Sequence, residues 1–141
     1  MSGLMDNKCG LVMGVANDKS IAWGIAKAIA DQGGKLAFTY QGDALKKRVT
    51  PLANSVNSDI ILECDVLSDQ DIDKTFQKLS EKWSKIDFLV HAIAFSDKEE
   101  LKGNYIDTTR SNFNKTMDVS VYSFTAIAKK AASMMNNGGS M

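Results

Sequence analysis

The chain has 141 residues, 44% of them hydrophobic and 24% charged, with ten glycines and a single proline. That length suits one domain over residues 1–141, and the composition excludes disorder, a collagen repeat and a disulfide scaffold. Seventeen basic and seventeen acidic residues cancel, so no broad field draws nucleic acid or an anionic membrane.

No segment reaches the run of roughly 18 apolar residues that a membrane-spanning helix needs. Residues 1–8 lack the basic and then apolar stretch of a signal peptide, so the expected location is the cytoplasm. Cys9 and Cys64 sit within apolar runs and read as buried free thiols of a reducing compartment. Neither has a neighbouring His/Cys pair at metal-ligand spacing, so no metal site is expected.

Short apolar runs alternate with longer segments of helical period. Residues 9–15 read as a buried strand. A helix follows over residues 20–32, with Ile21, Ile25, Ala28 and Ile29 on one face, and Gly33 and Gly34 end it. Residues 35–40 form a second strand, residues 43–53 a second helix with Pro51 near its end, and residues 59–64 a third strand. Ser68 can cap a third helix that carries Ile72, Phe76, Leu79 and Trp83 on one side. Residues 86–94 form a fourth strand, and residues 96–105 a polar loop. Thr109 or Ser111 can cap a long last helix with a stripe of Phe113, Met117, Val121, Phe124 and Ala128, which reads as core or subunit contact. Residues 136–139, Asn-Asn-Gly-Gly, end that helix.

Strand starts recur about every 25 residues, as right-handed βαβ crossovers require. The strands are apolar on both faces, which suits a parallel sheet covered by helices on both sides. The fold class is therefore α/β, a Rossmann-type doubly wound parallel sheet. The expected sheet is truncated after the fourth strand and fourth helix. A fifth strand is due after Gly139, but the chain stops at Met141, and the fourth strand is expected to keep an unpaired edge.

In such folds ligands bind at the carboxyl ends of the strands. The first strand-to-helix turn here runs from Gly14 to Gly24 and is longer than G-x-G-x-x-G, without its middle glycine. Gly14 can make the sharp exit from the strand, and Gly24 can let the helix pack closely on the sheet. Ser20 can cap the helix and offer a hydroxyl, and the N–H groups of Ser20 and Ile21 sit at the positive end of the helix dipole. The turn suits a pyrophosphate, and it also suits an ordinary capped loop.

Gln41, after the second strand, occupies the place that meets an adenosine ribose. It is neutral, so it decides little between NAD and NADP, while Lys46, Lys47 and Arg48 read as a solvated helix face. After the third strand, Asp65 can accept from an adenine amino group while the Val66 N–H donates to the ring, or Asp65 can serve the turn itself. Small residues around His91 at the fourth strand end let a cofactor approach, and His91 itself reads as a hydrogen-bonded strand-end residue.

Four segments together resemble the enoyl-acyl-carrier-protein reductases of bacterial fatty-acid synthesis, within the short-chain dehydrogenase/reductase superfamily. They are Gly14-Val15-Ala16-x-x-x-Ser20-Ile21-Ala22-Trp23-Gly24, Leu36-Ala37-Phe38-Thr39-Tyr40-Gln41, Cys64-Asp65-Val66 and Asp87-x-x-Val90-His91-x-Ile93-x-Phe95. Residues 118–124 on the last helix are similar as well. The resemblance covers the chain but only about the first half of a family member. It implies NADH-dependent reduction of the trans-2 double bond of an enoyl thioester carried on acyl carrier protein, and a homotetramer.

By that resemblance, Gly14, Ser20 and Ile21 meet the pyrophosphate and nearby ribose, Gln41 lies beside the adenosine, and Asp65 and Val66 hold adenine. Ile93 lies along the cofactor toward the nicotinamide, and Ser96 is where family members approach the acyl substrate. Ala94 departs from a glycine common in the family, adding one methyl beside the cofactor. The family's catalytic tyrosine pair and lysine belong to a fifth strand and helix, beyond Met141, so no residue is assigned catalysis and the chain alone is expected to be inactive. Tyr40, Tyr105, Tyr122 and Ser120 inherit no catalytic role. Two alternatives stay open: a different short-chain reductase, and a non-catalytic NAD-binding fragment.

Overall fold

The computed structural model describes residues 3–141. Five strands form one parallel sheet: β1 (Cys9–Met13), β2 (Lys35–Tyr40), β3 (Ile60–Glu63), β4 (Ile86–His91) and β5 (Met135–Ser140), in the order β3-β2-β1-β4-β5. Helices α1 (Ile21–Asp31), α2 (Gly42–Ser55) and α3 (Asp69–Lys82) connect the first four strands. Two short 3-10 turns follow β4, and then α4 (Arg110–Met117), a π turn (Asp118–Tyr122) and α5 (Ser123–Met134) lead into β5.

β1 shows why the sheet must be covered twice. Leu11 and Met13 enter a core with Ile72, Phe76 and Leu79 of α3 and Ile127 and Ala131 of α5. Val12, between them, enters the opposite core with Trp23 and Ala26 of α1 and Val49 and Ala53 of α2. Successive strand side chains point to opposite faces, so a strand apolar at every position needs helices on both. At α3 the sequence pattern and the structure agree. The Ser68 hydroxyl accepts from the Asp71 amide at 3.2 Å, and Ile72, Phe76 and Leu79 are buried.

The sheet departs from expectation at its edge. β4 does not keep an unpaired edge, because β5 pairs with it in parallel, Ile86 opposite Met135 and Phe88 opposite Ser140. Residues 136–139 therefore do not end a helix; α5 stops at Met134, and these residues belong to a strand. The register slips between Ile86 and Phe88. Gly138 has φ of +79°, and a Cβ on Gly139 would press on the Asp87 carbonyl at 2.9 Å. The glycines read as a helix stop serve a tight, irregular edge strand instead.

Two helix faces also differ. α1 buries Ala22, Trp23 and Ala26, while Ile21 is 79% exposed. The Trp23 ring lies 6.3 Å from that of Phe38, and this large contact turns the helix away from the face marked by its isoleucines. Gly24 faces open space rather than the sheet, with nothing within 4 Å of a Cβ built there. The last helix is not continuous. Its buried residues are Asn112, Val119, Ser123, Ile127, Ala131 and Met134. The stripe of Phe113, Met117, Val121 and Phe124 is exposed.

Candidate functional site

The carboxyl ends of β1, β2, β3 and β4 open onto one cleft of about 480 Å³. Its walls are residues 14–16, 39–41, 64–67 and 92–95, closed on one side by Lys115 and Val119. Gly14, Gln41, Asp65, Val66 and Ile93 come together here. Ser20 and Ile21, at the N-terminus of α1, and Ser96 are not among the residues that line the cleft, although Ser20 bonds the lining residue Ala16.

Gly14 has φ of +111°, a conformation in which side chains are strained, and a Cβ there would overlap the Ala92 carbonyl. The crossing of β1 and β4 at the cleft floor thus requires glycine.

Ser20 corrects one expectation. Its hydroxyl makes no helix cap; it accepts from the amides of Ala16 at 2.9 Å and Asn17 at 3.1 Å. It closes the long turn on itself, which accounts for the absence of a middle glycine. Both lone pairs are then used, and the hydroxyl proton is left for an outside acceptor. Beside it, the N–H groups of Ile21 and Ala22 open α1 without a backbone partner among the described residues, whereas that of Trp23 already donates to the Ser20 carbonyl at 3.0 Å. Together they make a donor-rich helix end suited to an anion.

Gln41 precedes α2 and its side chain makes no cap bond. Asp65 serves its turn, with Oδ1 accepting from the Leu67 amide at 3.0 Å, while it also lines the cleft. Ile93 packs partly buried against the α3/α5 core. Cys64 is buried in the cleft wall, where burial pushes its thiol pKa up. Cys9 is only half-buried; its Sγ donates to the Lys85 carbonyl at 3.3 Å.

The segment after β4 is tied to the last helix. Ser120 Oγ accepts from the Phe95 amide at 3.0 Å. Asn112 Oδ1 accepts from the Asp97 amide, and its Nδ2 donates to Ser96 Oγ, both at 3.0 Å. Lys115 Nζ pairs with Asp97 at 3.2 Å and sits 4.6 Å from the centre of the Phe95 ring. His91 lies behind the floor, with Nε2 2.7 Å from Ser123 Oγ, and burial pushes its pKa down.

Asn112, Lys115, Val119 and Ser123 join the site although no motif marks them. The periodicity carries one signal of them: Asn112 and Ser123 are polar residues in phase with Val119 and Ile127 on the buried helix face.

A Tyr-x6-Lys spacing occurs twice, at Tyr40/Lys47 and Tyr122/Lys129. Neither lysine lines the cleft, and Tyr122 points elsewhere, 58% exposed. Among the described residues no three His, Cys, Asp or Glu side chains cluster as metal ligands, and no helix is long and apolar enough to cross a membrane.

A doubly wound parallel sheet with a glycine-floored cleft and a helix N-terminus at its strand ends defines the dinucleotide-binding class. Within that class, the family model described as enoyl-(acyl carrier protein) reductase matches residues 14–141, and the chain belongs to this family. It is 61% identical over 141 residues to enoyl-[acyl-carrier-protein] reductase [NADH] 2 of Rhizobium meliloti, covering 100% of this chain and 53% of that protein. It is 45% identical to the NADH reductase FabI of Rickettsia bellii, over 99% of this chain and 53% of that one. The crystal structure of the Anaplasma phagocytophilum reductase in complex with NAD superposes with a TM-score of 0.93 at 52% identity, over 99% of this chain and 54% of that one. The chain spans about half the length of the curated relatives it matches.

Proposed function

We propose that this chain forms the NADH site of an enoyl-acyl-carrier-protein reductase, which reduces the trans-2 double bond of enoyl thioesters in fatty-acid elongation. The observation that carries the reading is the single cleft that gathers Gly14, Gln41, Asp65, Val66 and Ile93 at the strand ends. The name of the 61% identical relative supplies the reaction, and the NAD complex of the Anaplasma relative supports the cofactor.

The residues present fit a dinucleotide. Bare backbone at Gly14 admits a pyrophosphate close to the floor, and the free Ser20 proton and the Ile21 end of α1 give it donors. Asp65 Oδ2, not used by the turn, can accept from an adenine amino group while the Val66 N–H donates to the ring. Gln41 is uncharged and decides little between the two cofactors; the preference for NADH over NADPH is supported by the name of the 61% identical NADH reductase. When bound, NADH supplies the hydride; this chain's residues bind it, orient it and hold water away from its apolar face through Ile93 and Val119. Ser96 lies on the acyl side, where its hydroxyl proton stays available after Asn112 takes an oxygen lone pair.

Among the described residues neither Tyr-x6-Lys pair places its lysine in the cleft, so the polypeptide by itself binds cofactor without turning over. The substrate partner is acyl carrier protein bearing an enoyl thioester. The exposed stripe of Phe113, Met117, Val121 and Phe124 supports self-association as a homotetramer, and two free thiols support a cytoplasmic location.

The test is an NADH titration of the purified chain followed by nicotinamide fluorescence. Saturable binding, tighter for NADH than for NADPH, is expected. No saturation up to about 1 mM, a weak ligand by the affinity scale, rejects the cofactor reading.

A further inference from the structure

The π turn Asp118–Tyr122 needs a cause, since such a turn is an irregularity that persists only where neighbours hold it. Ser123, 0% exposed, stands at its end. Its hydroxyl donates to the Val119 carbonyl at 2.6 Å, and its oxygen lies 2.7 Å from His91 Nε2. A hydroxyl has one proton to give. With that proton on Val119, the other bond has a single polarity: His91 Nε2–H donates and Ser123 Oγ accepts. The Phe124 ring meets the imidazole edge-on at 5.6 Å and restricts its swing.

Two residues of the turn bear on the cleft, one directly and one through Phe95. Val119 lines it directly. Ser120 holds the amide of Phe95, which also lines it. If the π turn relaxed to an α turn, the preceding helix would shift by one residue, a rotation of about 100°. Val119 would leave the wall and Ser120 would release Phe95.

We propose that His91 and Ser123 are positioning residues for the cofactor. Their relay, from His91 Nε2–H through the Ser123 hydroxyl to the Val119 carbonyl, holds the π turn open and sets the Val119–Phe95 wall. The inference rests on reading the cleft as the NADH site.

The test compares NADH affinity of the parent chain with His91→Phe, Ser123→Ala and His91→Gln. Phenylalanine keeps the ring against Phe124 and loses the donor; glutamine restores an N–H near the Nε2 position. His91→Phe and Ser123→Ala are expected to weaken NADH about tenfold, and His91→Gln to stay within about threefold of the parent. Unchanged affinity in the first two, or glutamine as weak as phenylalanine, overturns the inference alone. A parent chain that does not bind NADH overturns the cofactor reading, and the inference falls with it. Circular dichroism checks that each variant folds. If His91→Phe or Ser123→Ala does not, amide exchange of residues 119–124 in the parent decides. Saturating NADH should slow it about tenfold, and unchanged exchange overturns the proposal.

Discussion

The backbone amide of Cys9 donates to the carboxylate of Asp87 at 2.9 Å, so a side chain of β4 fixes the first residue of β1. The other carboxylate oxygen accepts from the Asn136 amide of β5, also at 2.9 Å. One carboxylate, 12% exposed, thus pins three neighbouring strands at the end opposite the cleft. The Asn136 bond, the Cys9 amide and nearby Lys8 hold its pKa below the ordinary value. A carboxylate of depressed pKa stabilises the fold above its unfolded pKa of about 3.9, and that stability is lost as pH falls through the lower folded value. Asp87→Ala is expected to cost about 1–3 kcal/mol at neutral pH. Urea unfolding at a series of pH values checks both parts, and the variant should lose less stability than the parent below about pH 4.

Two glycines of the first turn should respond in opposite directions. At Gly14, φ is +111° and a Cβ meets the Ala92 carbonyl, so Gly14→Ala combines backbone strain with overpacking and should cost about 2–4 kcal/mol. Gly24 lies within α1, and a Cβ there meets nothing. Gly24→Ala should therefore stabilise by about 0.5–1 kcal/mol through helix propensity. Denaturant midpoints for the pair test the assignment of Gly14 to the floor and of Gly24 to solvent; a costly Gly24→Ala would contradict it.

His91 gives a second pH dependence. Burial lowers its pKa, so the folded chain holds the neutral ring to a lower pH than the unfolded chain does. The stabilising contribution is complete above the unfolded value of about 6.5 and declines as pH falls toward the folded one. His91→Gln removes this titration, so its stability should vary less than the parent's between about pH 6.5 and 5. Parallel unfolding curves over that range measure it.

Most of this architecture could be read from the chain because its strands are buried on both faces. The run from Lys35 to Tyr40 is apolar enough that its bounds coincide with β2. Ser68 signalled α3 through a capping bond that is local. What could not be read depends on contacts distant in sequence. Trp23 turned α1 by meeting Phe38, a partner on another element. The edge glycines read as a helix stop because the Asp87 carbonyl beside Gly139 is not a neighbour in sequence. In the site, Gly14 and Asp65 follow from their position at strand ends. The burial of Asn112 and Ser123 is legible in their phase on the helix, but their roles are not, because their partners Asp97 and His91 are brought in by the crossover.

Asn112 is the remaining element of that kind that can be tested through stability. It is 5% exposed and grips two successive loop residues, the Ser96 hydroxyl and the Asp97 amide. The Lys115–Asp97 pair ties the same loop at 3.2 Å, but both side chains are nearly half exposed. A buried amide that loses its partners leaves polar groups unsatisfied, whereas an exposed ion pair is offset by water and salt. Asn112→Leu is expected to cost about 1–3 kcal/mol and to speed exchange of the Asp97 amide. Lys115→Ala should cost less than about 1 kcal/mol and leave that amide protected. The two variants measured side by side show which contact holds the loop, and the reverse order of effects would place it on the surface lysine.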